Sequence, residues 1–254
     1  MATDNSAPLT PSQERRLREA LREANNLAFG YATALIIAAP PSVGGEVNHG
    51  SGIIIHLPEG HFLLTAEHVV RSWYTRYPKE PAVLLHIKHP DGWGQFKAQD
   101  RLVVYDKTAD VAALRLTEEE AKAGGTYIYE PGEWPPPPPK KDELVHVVGF
   151  PKEGRIKLGP KKFEFRSLNL AAPVMRIADL NFKCQLDRSQ LVNVGDEATG
   201  SLPALFDGMS GGPAMAMRGL VPVLLGTVSE HHPKLDILIV GRWSQIPRER
   251  FAAG

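Results

Sequence analysis

From Tyr31 onward, apolar residues come in short runs that glycine, proline or charged residues cut off within a few positions. Ala32–Ala38, Gly52–His56, His61–Thr65, Val83–His86, Phe96–Tyr105 and Val111–Leu116 form one set; Glu143–Phe150, Lys162–Phe165, Val174–Ile177, Ala214–Ala216, Val221–Val228 and Leu235–Val240 form a second. Runs of this length suit strands. With no long helical pattern between them, they predict an antiparallel sheet or barrel in each half of the chain.

Two stretches stand apart from this pattern. Thr10-Pro11 followed by Ser-Gln-Glu marks a helix start, with Thr10 as the capping residue and Pro11 in the first turn. Leu17, Ala20, Leu21 and Ala24 then recur at helical spacing to about Leu27, with Arg and Glu filling the other face. An amphipathic helix packed on the body is expected, with an arm for a partner protein as the alternative. Midway, Pro131-Gly-Glu-Trp-Pro-Pro-Pro-Pro-Pro139 cannot donate ladder hydrogen bonds. It is expected to be an extended, semi-rigid linker. Asp187–Ala204 is long and polar and predicts a surface loop, while Trp243–Phe251 predicts a short C-terminal helix.

At 254 residues the chain can bury a sizeable core. Lys plus Arg and Asp plus Glu number 29 each, so no global field favours nucleic acid or an anionic membrane. Cys184 is the only cysteine, which rules out an intramolecular disulfide and fits a reducing compartment. The N-terminal Met-Ala-Thr-Asp-Asn-Ser has no basic stretch followed by an apolar one, and no run of 18 apolar residues occurs. A cytoplasmic location is expected, with a trimmed secreted protein as the alternative. His86 and His89, and the pair His231-His232, have no cysteine or second spaced pair beside them, so no metal site is expected.

Chemistry concentrates in Asp207-Gly-Met-Ser-Gly-Gly-Pro213. Glycine in a helix or strand interior costs roughly 0.5–1 kcal/mol, but it suits a tight loop whose amides must face a ligand. Ser210 there is a candidate nucleophile, with the amides of Gly208 and Ser210 converging on one oxyanion; a plain glycine-rich turn is the alternative. A serine nucleophile needs a base, and the base needs an acceptor to orient it. His68, in Phe62-Leu-Leu-Thr-Ala-Glu-His-Val-Val70, follows one apolar run, and Asp110, in Thr108-Ala-Asp-Val-Ala-Ala-Leu-Arg-Leu116, heads another. Asp106 competes with Asp110, but its Tyr-Asp-Lys-Thr setting is that of an aspartate capping its own backbone.

"LLTAEHVV", "ADVAALRL" and "GMSGGP", in that order and separated by 42 and 100 residues from His68 to Asp110 to Ser210, resemble the signature motifs of the trypsin-like (chymotrypsin-fold) serine peptidases. The resemblance spans roughly residues 30 to 245. It implies an all-β fold of two six-stranded antiparallel barrels, here with an extra N-terminal helix and a short C-terminal one. The implied division is a helical extension (1–29), a first barrel with His68 and Asp110 (30–129), a proline-rich linker (130–141) and a second barrel with Ser210 (142–254). It further implies peptide-bond hydrolysis with His68 as general base, Asp110 as orienting acid, and no cofactor. The expected partner is a protein or peptide substrate. Ser229, Glu230 and His231 match the segment that lines the primary pocket in that family, and Asp207 is expected near its rim. Ala204 falls at the pocket base by counting, where an acid would favour basic substrates. A peptidase-like binding module and a serine esterase remain the alternatives. Met209 stands where many family members carry the aspartate that pairs with a freed N-terminus, so no N-terminal cleavage is expected to be needed.

Overall fold

The computed structural model describes residues 10–38, 47–76, 83–89, 92–97, 100–123, 126–159, 162–187, 206–219 and 221–252. Helix α1 (Pro11–Tyr31) starts as expected. Thr10 Oγ1 accepts from the Gln13 amide, and the Gln13 side chain returns a bond to the Thr10 amide, completing a capping box. Its first turns are exposed, whereas Asn25 and Ala28 near its end are buried against the body.

Strands β1 (Ala32–Ala38), β2 (Val47–Leu57), β3 (Gly60–Thr65), β4 (Val83–His89), β5 (Gly92–Lys97), β6 (Leu102–Asp106) and β7 (Val111–Leu116) form one antiparallel sheet in the order β5-β4-β1-β2-β3-β7-β6. The run Phe96–Tyr105, expected as one strand, is divided between β5 and β6, with Asp100 in a left-handed conformation at φ 64° between them. Helix α2 (Glu67–Arg76) was not anticipated, because Val69 and Val70 prolong the apolar pattern of β3. Period two explains why: Ile53, Ile55, Phe62 and Leu64 point to one face of the sheet, and Ile54 and Leu63 to the other. That second face needs a cover, which Val69 and Val70 of α2 and Ala121 of α3 (Glu118–Ala123) supply.

In the other half β8 (Leu144–Gly149), β11 (Leu168–Ile177), β12 (Asn181–Gln185), β13 (Pro213–Arg218), β14 (Val221–His232) and β15 (Ile237–Arg242) close a barrel in the order β11-β12-β15-β14-β13-β8. A separate hairpin, β9 (Arg155–Gly159) and β10 (Lys162–Phe165), leaves the barrel after β8. The architecture is thus mostly β, with one closed six-stranded barrel, a second, seven-stranded sheet and an N-terminal helix. The C-terminal helix is shorter than expected: one 3-10 turn at Trp243–Gln245, then α4 (Glu249–Ala252).

The proline-rich connection is a packed strap. Tyr129 exchanges backbone bonds with Ile54 and His56, and its hydroxyl accepts from the Leu224 amide across the molecule (3.1 Å). Trp134 Nε1 donates to the Ile246 carbonyl (3.0 Å), and its ring meets Trp243 and Phe251. These rings join a continuous core in which Ile53 and Phe62 of the sheet share contacts with Val148, Met215 and Leu224 of the barrel. Among the described residues no helix is long and apolar enough to cross a membrane.

Helix α1 is fastened to the barrel through a buried polar pair. His146 Nδ1 on β8 donates to Asn25 Oδ1 (2.6 Å), and burial pushes the imidazole down to about 4. The unfolded chain protonates this ring near 6.5, so between those values the unfolded state binds more protons and stability falls as pH drops. We expect this group alone to remove about 3 kcal/mol between pH 7 and pH 4. Urea titrations across that range should show a shallower loss in His146→Gln, and identical slopes would assign the acid sensitivity elsewhere.

Candidate active site

The turn from β6 to β7 separates the two aspartates. Asp106 Oδ1 accepts the amides of Thr108 and Ala109 (2.9 Å each) and so caps the turn. Asp110, at φ 52°, leaves the turn in a left-handed conformation that aspartate tolerates better than most residues. Its carboxylate receives three donors. His68 Nδ1 lies 2.9 Å from Oδ2 and 3.1 Å from Oδ1, the His68 backbone amide reaches Oδ1 at 3.0 Å, and Ser229 Oγ reaches Oδ2 at 2.5 Å. Burial by itself would raise this carboxyl's pKa, but the bonds and charge of His68, then the Ser229 hydroxyl, outweigh it and hold the group below the ordinary carboxylate value. Asp110 is therefore ionised at neutral pH. With Nδ1–H engaged by Asp110, a neutral imidazole offers Nε2 as its basic nitrogen.

His68 owes its position to helix packing. It is the second residue of α2, next to Val69 and Val70, which are anchored among Leu35, Ile54 and Leu63. β3, which delivers the helix, pairs with β7, which follows Asp110, and Thr65 faces Ala112 in that ladder. The 42-residue gap is thereby closed by one strand pair.

Ser210 lies in the loop Phe206–Gly212, which is fixed by backbone bonds. Met209 donates to the Phe206 carbonyl (3.0 Å), Gly211 to Val228 (2.7 Å) and Gly212 to Met209 (2.9 Å). Among the described residues no backbone carbonyl accepts the amides of Gly208 and Ser210, the two that the sequence singles out. The Asp207 carbonyl accepts from the Lys152 amide (2.6 Å). Because a trans peptide points its C=O and N–H in opposite directions, that bond turns the Gly208 N–H away from Lys152. Gly208 and Gly211 sit at φ 92° and 87°. At Gly211 a Cβ would collide with Ser51 O and Thr65 Oγ1, so both its conformation and its space require glycine. Ser210 Oγ donates to the Ser229 carbonyl (3.3 Å), and Ser229 Oγ donates to Asp110. Ser229 thus stands between Asp110, through its hydroxyl, and Ser210, through its carbonyl; among the described residues no hydrogen bond joins Ser210 Oγ to His68.

Of the expected pocket residues, Ala204 lies outside the described residues, as does most of the Asp187–Ala204 stretch. Asp207 and Glu230 are exposed. His231 directs Nε2 to Asp236 Oδ1 (3.4 Å) and rests its ring on Phe206, 4.4 Å between centroids. β14 pairs with β13 only as far as Thr227, so from Ser229 onward its ladder is with β15 alone among the described residues, and its other edge lies beside Ser210. Sequence reasoning missed His49 and Ser51. Ser51 donates its amide to the Ser210 carbonyl (2.8 Å) and its hydroxyl to the Gly208 carbonyl (2.8 Å), and its hydroxyl accepts from the Phe150 amide (2.9 Å). The signal was present: Gly50-Ser51-Gly52 repeats the serine-between-glycines pattern of Ser210.

By sequence, no family model and no curated protein matches the chain. By structure, it is similar to a thermostable serine protease, AL20, from an extremophilic microorganism: TM-score 0.52 at 12% identity over 89% of this chain and 97% of that one. The Rv3671c protease from M. tuberculosis in its active form aligns at TM-score 0.47 and 18% identity, over 100% of this chain and 96% of that one. The fold is thus one that a serine protease also adopts.

Loop geometry gives a stability prediction. Gly219 also has positive φ (70°), but a Cβ there meets nothing. Gly219→Ala should cost about 1 kcal/mol, and Gly211→Ala more than about 3 kcal/mol or failure to fold, by urea unfolding. Equal costs would mean that the Ser51–Thr65 contacts do not confine the loop.

Proposed function

We propose that the protein is a serine endopeptidase that forms an acyl-enzyme on Ser210. His68 Nε2 takes the serine proton and returns it to the leaving amine, Asp110 orients and stabilises the imidazolium, and the amides of Gly208 and Ser210 receive the oxyanion. On this reading the seven-stranded sheet is the counterpart of a first barrel, and residues 30–129 and 142–254 are the two domains joined by the Trp134 strap. The observation that carries it is the ionised Asp110 bound to both the ring and the backbone of His68, with Ser229 bonded to Asp110 through its hydroxyl and to Ser210 through its carbonyl.

The edge of β14 favours a peptide over a small ester, because an extended chain could add to it beside Ser210. A substrate N–H bound there would compete for the Ser229 carbonyl that Ser210 Oγ occupies at rest. The exchange would free the hydroxyl for His68 as substrate arrives.

A fluorophosphonate probe should label Ser210, and Ser210→Ala and His68→Ala should abolish both labelling and peptide cleavage. In a trypsin-type triad, Asp to Asn lowers kcat about 10⁴-fold. We expect that scale for Asp110→Asn and near wild-type turnover for Asp106→Asn, measured by steady-state kinetics. Similar losses in both would move the acid to Asp106, and no labelling would leave the binding-module reading. Because Met209 is uncharged, no ion pair with a freed N-terminus can form at that position. Intact mass should therefore show label on chains that begin at residue 1 or 2; label confined to chains truncated near residue 30 would require activation by cleavage.

A further inference from the structure

The Gly208 amide proposed above for the oxyanion must be held from behind, and the bonds on the two peptides that flank Gly208 lead to one small cluster. His49, on β2, points Nε2 at the Phe150 carbonyl (3.1 Å), and its ring meets Phe165 edge-on, 5.7 Å between centroids. The segment it holds, Phe150–Lys152, uses two amides on the nucleophile loop. Phe150 N–H reaches the Ser51 hydroxyl, which passes a bond to the Gly208 carbonyl, and Lys152 N–H takes the Asp207 carbonyl. Both peptides that flank the Gly208 α-carbon are thus clamped through their carbonyls. Gly208 itself lies so close to His49 that a Cβ would strike the ring nitrogen.

We propose that His49 is a positioning residue of the oxyanion loop, a buttress that works with Ser51 to keep the Gly208 amide turned toward the reacting carbonyl. The inference rests on the serine peptidase reading. Donation to Phe150 requires a proton on Nε2, and the ring is neutral at pH 7: burial, with Arg155 and Lys152 nearby, holds it down at about 4. The cluster supplies from within the chain what Met209 cannot supply as an ion pair.

The test compares His49→Ala, His49→Gln and Ser51→Ala in the full chain, with His61→Ala, a residue of the far end of the β2–β3 ladder, as control. Losing one oxyanion donor costs about 10²–10³ in kcat. Misplacing one should cost about tenfold to a hundredfold, with KM for a peptide substrate within about twofold and a matching loss of affinity for a peptide boronate that mimics the tetrahedral adduct. His49→Gln, whose amide can still donate to Phe150, should recover most of the loss. Amide hydrogen exchange of residues 206–212 in a Ser210→Ala background should be faster with His49→Ala and unchanged with His61→Ala. An unchanged kcat, an effect confined to KM, a glutamine variant no better than alanine, or unchanged exchange would each overturn the proposal. Should the alanine variant not fold, the glutamine variant and Ser51→Ala carry the same comparison. A wild-type chain that resists the fluorophosphonate would refute the catalytic reading, and the exchange measurement would still decide whether His49 supports the loop.

Discussion

The bond from the Ser51 amide to the Ser210 carbonyl joins the sheet to the barrel at the point where both must agree. His68 and Asp110 belong to the sheet side and Ser210 to the barrel side, so their relation depends on how the two halves meet. Ser51 is fully buried, and its carbonyl, amide and hydroxyl all have partners: Thr65 Oγ1 on the carbonyl at 2.8 Å, the nucleophile loop and Phe150 on the rest. A buried polar group of this kind is stable only with every bond made, which leaves the loop little freedom of register. The shared core around Ile53, Phe62, Val148 and Trp243 holds the seam shut from below.

Apolar burial and polar satisfaction divide the work in a consistent way. His146, buried, and His49, half-buried, are held neutral and each has a carbonyl-type acceptor: His49 the Phe150 carbonyl, His146 the Asn25 side chain. Cys184, in the barrel core, has its thiol pushed up to about 12 by burial and behaves as a small apolar side chain. Asp110 is the contrasting case, a partly buried carboxylate kept ionised because three donors surround it. Burial alone would have raised its pKa, and the difference is geometry contributed by α2 and β14.

α1 reaches the same seam from outside. Phe29 approaches Phe150 at 6.5 Å between centroids, and Asn25 holds β8, the strand that leads into Gly149 and Phe150. The exposed first half of the helix makes none of these contacts, so only its last turns are tied to the barrel.

The sequence by itself determined the alternation of strands and turns, the helix start at Thr10, Asp106 as the cap of its own turn, and the glycine loop around Ser210. Each depends on a local cause: period-two burial, a cap three residues from its donor, or a backbone angle that only glycine accepts easily. Tertiary structure decided the rest. Val69 and Val70 became helix because the outer face of the sheet needed a cover, which no local propensity encodes. Phe96–Tyr105 broke at Asp100, and the proline run became a strap through Trp134 contacts with residues more than a hundred positions away. The glycines beside Ser51 marked it, but the role of Ser51 and of His49 could not be read from their neighbours, since what gives them their place is the Gly208 peptide, 157 residues beyond Ser51 and brought to it only by the meeting of sheet and barrel.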